Sequence, residues 1–230
     1  MQGISDTLNQ LMDDVNVKGI VITGTGKFFC AGADIEEFQR CIDEGRIGPL
    51  VDNLTSILHP LQVRMRTDPT VLIAAMNGAA AGGGLGLALA CDARIAAPEA
   101  KLAAAFFKLG LSPDGGTTWL LPRLVGNQVT RRFFFNDEVW SGEQAQEKGA
   151  VDAVVAMDEL IDTAVDWAAN WGKWSQLSRS GTKQLLDAST STFFQTQLEF
   201  EQALIIAASQ TKEFEEGVAA FLEKRDPDFD

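Results

Sequence analysis

The chain has 230 residues, 46% of them hydrophobic, enough for one substantial core but short for two full domains. Its 19 Lys and Arg stand against 32 Asp and Glu, a net charge of −13 whose sign argues against a nucleic-acid groove. The longest apolar stretch, about residues 78–91, is interrupted by glycine and too short to span a membrane, and residues 1–14 lack the basic and apolar segments of a secretory signal. Cys30, Cys41 and Cys91 have neither metal-ligand spacing nor the even count of a disulfide framework, so reduced thiols in a cytoplasmic protein are expected.

In chain order, Leu8, Leu11, Met12 and Val15 recur at helical spacing after Ser5. Gly19–Thr23 reads as a short buried strand, followed by a Gly-rich turn. Asp34 starts a helix to about Glu44, with Glu37 as its expected capping-box partner. A longer helix spans roughly Leu50–Thr67 and stops at Asp68-Pro69. Val71–Met76 is a second buried strand running into Asn77-Gly78. The glycines Gly82–Gly84 then lead into a helix expected over Leu85–Cys91. Short strands are predicted near Ala93–Ala96 and Lys101–Ala103. Ser141 and Gln144 form a capping box, Gly149 ends that helix, and Val151–Val155 reads as a strand. Residues 158–223 are almost wholly helical in pattern. The chain therefore divides into an α/β core over residues 1–157 and a helical region over 158–230.

Two segments carry chemistry. Phe28–Ile35 lies between a strand and a helix start, and its small residues at 31–33 let a ligand reach backbone N–H groups. Asn77–Gly86 again joins a buried strand to a helix, with consecutive glycines baring amides at the positive end of that helix. Neither fits a Walker loop or a dinucleotide fingerprint. Each alone is also compatible with an ordinary strand-to-helix turn.

Taken together, FCAGADI, then NGAAAGGGLGLALACD about 42 residues later, then GLSPDGG and LPRLVG, resemble the enoyl-CoA hydratase/isomerase (crotonase) family in order and spacing. The likeness extends through SGEQAQEKGAVDAVV to the closing FLEKRDPDF. It implies a spiral of short ββα turns followed by a helical region that packs subunits into a trimer or a dimer of trimers. It implies an acyl-CoA thioester substrate, with coenzyme A part of that substrate and no separate cofactor or metal. The N–H groups of Ala33 and Gly83 would form the oxyanion hole. Ala31, Asp34, Ile35, Phe106, Leu111 and Trp119 would contact substrate. The family's usual opening stretch, of the Asn-Arg-Pro type, has no counterpart here, and that stretch normally lends contacts to coenzyme A.

The acid groups distinguish the reactions. Hydration in this family resembles two-glutamate chemistry, and those glutamates would fall at Gly86 and Phe106. Asp114 is the acid that remains, in a segment similar to the SPEG-type stretch of Δ3,Δ2-enoyl-CoA isomerases and the PDAGG stretch of 1,2-epoxyphenylacetyl-CoA isomerases. One carboxylate suffices to move a proton from C2 to C4. Phe106, Phe107, Leu111, Trp119 and Leu120 are expected to give it an apolar surrounding. Asp114 could equally do no more than shape a Pro-Asp-Gly turn. Hydration, nucleophilic dehalogenation and simple thioester binding stay open beside isomerisation. Dehalogenation would want a histidine in the site wall. His59 is the only histidine, and it reads as part of a polar helix face with no Ser or Cys partner nearby. Asp92, at a helix end, is expected to bond backbone.

Overall fold

In the computed structural model, which describes residues 1–229, each pass of the chain lays one strand in each of two sheets. β1 (Gly19–Thr23), β3 (Val71–Met76), β5 (Ala93–Ala96) and β8 (Ala153–Val154) form the first sheet, all parallel and in that order. β2 (Phe28–Cys30), β4 (Ala79–Ala81), β6 (Lys101–Ala103) and β7 (Val139–Ser141) form the second, in which only the β6–β7 pair is antiparallel. This alternation between sheets is the crotonase-like spiral. The sequence pattern missed β2, β4 and β7, because runs as short as Phe-Phe-Cys, Ala-Ala-Ala and Val-Trp-Ser carry no period that separates strand from turn.

β3 is buried along its whole length, as a central parallel strand covered on both faces must be. Leu72, Ala74 and Met76 face one core with Leu61, Met65, Leu85 and Leu89. Val71, Ile73 and Ala75 face the other, where Leu160, Ala164 and Ala168 of helix α8 (Leu160–Gly172) cover them. The expected boundary near residue 157 therefore falls just ahead of a helix that completes the core.

Helix α1 (Gln2–Asp13) ends two residues before Val15, which is exposed. α2 (Ile35–Asp43) is capped by Asp34, whose side chain accepts from the Glu36 and Glu37 N–H groups. The reciprocal half of the expected box is absent, because Glu37 turns its carboxylate to Arg40 and Cys41. α3 (Ile47–Thr67) starts three residues earlier than Leu50 and carries Pro60 inside it. α4 (Gly83–Ala90) starts at Gly83 instead of Leu85, because Gly82, at φ +55°, makes the turn that only a residue without Cβ takes easily. β8 is two residues long where Val151–Val155 was expected, since only Ala153 and Val154 pair with β5.

A 3-10 turn at Phe107–Leu109, then α5 (Thr117–Val125) and α6 (Asn127–Phe135), follow β6. α7 (Gly142–Glu147) opens with the complete Ser141/Gln144 capping box. After α8 come α9 (Gln176–Ala188), α10 (Phe194–Ala208) and α11 (Lys212–Glu223). No helix among the described residues is long and apolar enough to cross a membrane.

Candidate active site

Asn77 brings the two Gly-rich segments into register. Its Oδ1 accepts from the Gly24 N–H at 2.9 Å, and its Nδ2 donates to the Gly26 carbonyl at 3.0 Å. The loop ahead of β2 is thereby pinned to the loop ahead of β4, so β2 and β4 leave the core side by side. At their far ends, a Cβ on Gly84 would sit 2.1 Å from the Cys30 carbonyl oxygen, so the first turn of α4 lies directly against the end of β2. A Cβ on Gly32 would come within 3.7 Å of the Gly83 nitrogen. Gly32–Ala33 and Gly83 thus share one small region of space.

Gly83 is the first residue of α4, where an N–H has no partner within the helix. Neither the Gly83 nor the Ala33 N–H donates to a protein acceptor among the described residues. Two unspent donors beside a helix N-terminus are what a developing oxyanion requires.

The Asp114 turn closes over this point. A Cβ on Gly115 would lie 3.5 Å from Gly83 Cα and 3.6 Å from Leu58 Cδ2. The Gly115 carbonyl fills the space a side chain at 86 would need, 2.1 Å from where its Cβ would be. Phe106 is buried in the main core. The two positions at which hydration would place glutamates are thus a crowded backbone contact and a core phenylalanine.

Asp114 is not enclosed by apolar side chains as expected. Its side chain is 39% exposed and its Oδ1 lies 2.8 Å from His59 Nε2. Leu111 and Trp119 are also partly exposed, with the Arg123 guanidinium stacked over the Trp119 ring at 3.3 Å. Ala31, Asp34 and Ile35 lie on the surface beside the Gly32 turn, with Asp34 Oδ1 engaged in capping α2.

Sequence reasoning set His59 aside as part of a polar helix face and missed Gln62 and Leu58, and all three lie on α3. Besides His59, Gln62 Nε2 donates to the Gly115 carbonyl at 2.8 Å, and Leu58 Cδ2 lies 3.6 Å from where a Cβ on Gly115 would be. The one available signal was weak: a lone histidine three residues from a glutamine shares a helix face with it. Asp92 is remote from this cleft. It accepts from the Leu72 N–H and pairs with Lys183 Nζ at 2.7 Å. Burial pushes the Asp92 carboxyl up, against the pull of Lys183, and pushes the Lys183 ammonium down, against the pull of Asp92. The neighbouring Cys91 thiol is pushed up to about 12 by burial, which leaves it inert.

Comparison with known proteins identifies the family and the fold. Residues 1–230 match the family model described as enoyl-CoA hydratase/isomerase. A 1,2-epoxyphenylacetyl-CoA isomerase of Escherichia coli K12 is 36% identical over 229 residues, covering 98% of this chain and 86% of that protein. A probable enoyl-CoA hydratase of Bacillus subtilis 168 is 35% identical, covering 100% and 88% respectively. The crystal structure of a putative enoyl-CoA hydratase/isomerase from Mycobacterium abscessus superposes with a TM-score of 0.91 at 28% identity, covering 100% of this chain and 88% of that one.

Proposed function

Because the chain belongs to the enoyl-CoA hydratase/isomerase family, we propose that it shifts a double bond in an acyl-CoA thioester, from Δ3 to Δ2 or in a related ring-bearing acyl group. The observation that carries this reading is the Gly86–Gly115 contact, which leaves no room for a glutamate where hydration needs one. The nearness of the Asp114–Gly115 turn to Gly83 supports Asp114 as the single acid/base.

The thioester carbonyl oxygen would accept from the Ala33 and Gly83 amides. Asp114 then takes the proton from C2, and the C–H electron pair forms the enolate those amides stabilise. The protonated carboxyl returns the proton at C4, and the C3–C4 π pair takes it up while the enolate electrons form the C2–C3 double bond. Asp is a methylene shorter than the Glu of fatty-acyl isomerases, which favours a bulkier or more deeply seated acyl group. Exposed apolar side chains on α10 and α11 support a trimer or a dimer of trimers. The free cysteines fit a reducing, cytoplasmic setting.

The test sets 3-enoyl-CoA and 2-enoyl-CoA side by side in a spectroscopic assay. Isomerisation should dominate, and Asp114→Asn should lower kcat by about a hundredfold or more with thioester binding near normal. Brisk hydration of crotonyl-CoA without isomerisation, or full activity in the Asn variant, would overturn the reading. The His59–Asp114 contact favours a second reading, in which Asp114 displaces halide from an aromatic acyl ring and His59 draws the proton from the water that cleaves the aryl ester. Halide release from a haloaryl-CoA is its signature.

A further inference from the structure

We infer that His59 is a positioning residue for Asp114, the working end of a clamp that α3 applies to the Asp114–Gly115 turn. The inference rests on the isomerase reading and deepens it.

Three residues of one helix grip that turn. His59 Nε2 meets Asp114 Oδ1 at 2.8 Å, Gln62 Nε2 holds the next carbonyl, that of Gly115, at 2.8 Å, and Leu58 Cδ2 faces both Gly115 and Gly83, 3.6 and 3.5 Å from where a Cβ on each would sit. Leu58 therefore ties the acid's turn to the oxyanion donor, and the two histidine and glutamine contacts fix the turn's height above it. Stability alone does not account for the His59 pair. Its side chains are 50% and 39% exposed, and an exposed ion pair contributes only about 0–1 kcal/mol.

A carboxylate that must take a proton at one carbon and return it at another gains from a fixed plane. The terminal torsion of aspartate is broad and roughly twofold, so an unheld group swaps its oxygens. With Oδ1 engaged by His59, Oδ2 is the oxygen left to serve C2 and C4. The imidazole holds the base without exchanging the substrate proton.

Steady-state kinetics on a 3-enoyl-CoA thioester test this with His59→Leu, His59→Gln and Asp114→Asn. Leucine removes the donor, and kcat should fall about tenfold to a hundredfold, the scale of a small misplacement, with KM changed by no more than about twofold. Glutamine offers an amide N–H near the position of Nε2 and should restore most of the loss. His59→Leu added to Asp114→Asn should cost nothing further. The clamp is refuted if His59→Leu is fully active, if it alters KM alone, or if glutamine is as impaired as leucine, which would make the imidazole itself a proton carrier. Full activity in Asp114→Asn would instead sink the isomerase reading, whatever the His59 variants do.

Discussion

Lys183 on α9 is buried, yet its Nζ meets Asp92 and also donates to the Met65 and Thr70 carbonyls at 3.2 and 2.7 Å. Removing one partner leaves the other charge uncompensated, so Lys183→Met should lower stability by about 3–5 kcal/mol, read from a urea or thermal transition. Adding Asp92→Asn should recover part of that loss. Asp92 was legible as a backbone acceptor from its place at a helix end; its ion partner, 91 residues away, was not. The candidate site divides the same way. Ala33, Gly83 and Asp114 stand out because short-range glycine patterns surround them. His59 and Asp114 are 55 residues apart, and only the packing of α3 against the Asp114–Gly115 turn brings them together.

Among the elements, the C-terminal tail shows how a surface ion pair fastens a segment with little core of its own. Glu216 of α11 accepts from Arg225 at 2.5 and 2.9 Å and from the Asp228 N–H at 2.9 Å. The Arg225 hydrogen bond, with the Asp228 amide, lowers the Glu216 carboxyl from 4.5 to about 2. A depressed carboxyl stabilises the latch above its ordinary value and ceases to do so as pH falls through the interval toward 2. Protection of the amides of residues 225–229, taken relative to their intrinsic exchange rates, should therefore fall between about pH 4.5 and 2, and Glu216→Gln should show little protection already at neutral pH. Salt should weaken the effect, because the pair is at the surface. The longer elements were readable in advance. β3 is an unbroken apolar run, and Ser141 with Gln144 announces α7. β2, β4 and β7 of the second sheet were not, since their place depends on the neighbours they pair with, whereas β6 was anticipated near Lys101–Ala103.

For the molecule as a whole, the balance of apolar surface is the salient feature. Phe193, Phe194, Phe221 and Leu222 are each more than 70% exposed, and Ile205 and Ile206 more than half. This clustering on α10 and α11 exceeds what scattered surface residues supply. Light scattering at micromolar concentration should give a mass of three or six chains; a monomer would count against subunit packing through these helices. Phe221→Glu with Phe193→Glu should shift the mass downward.

The carbonyl of Gly115 lodged against Gly86 also restricts the chain's evolutionary future. A lineage cannot arrive at two-glutamate hydration by altering position 86 first, because any side chain there collides with backbone before it can gain a role. The turn after Asp114 has to be lengthened or rerouted beforehand, and that step moves Asp114 with it. On the proposed isomerase reading, that activity would have to be surrendered before hydration could be selected. A few ångströms of occupied space thus act as a ratchet on the lineage's chemistry.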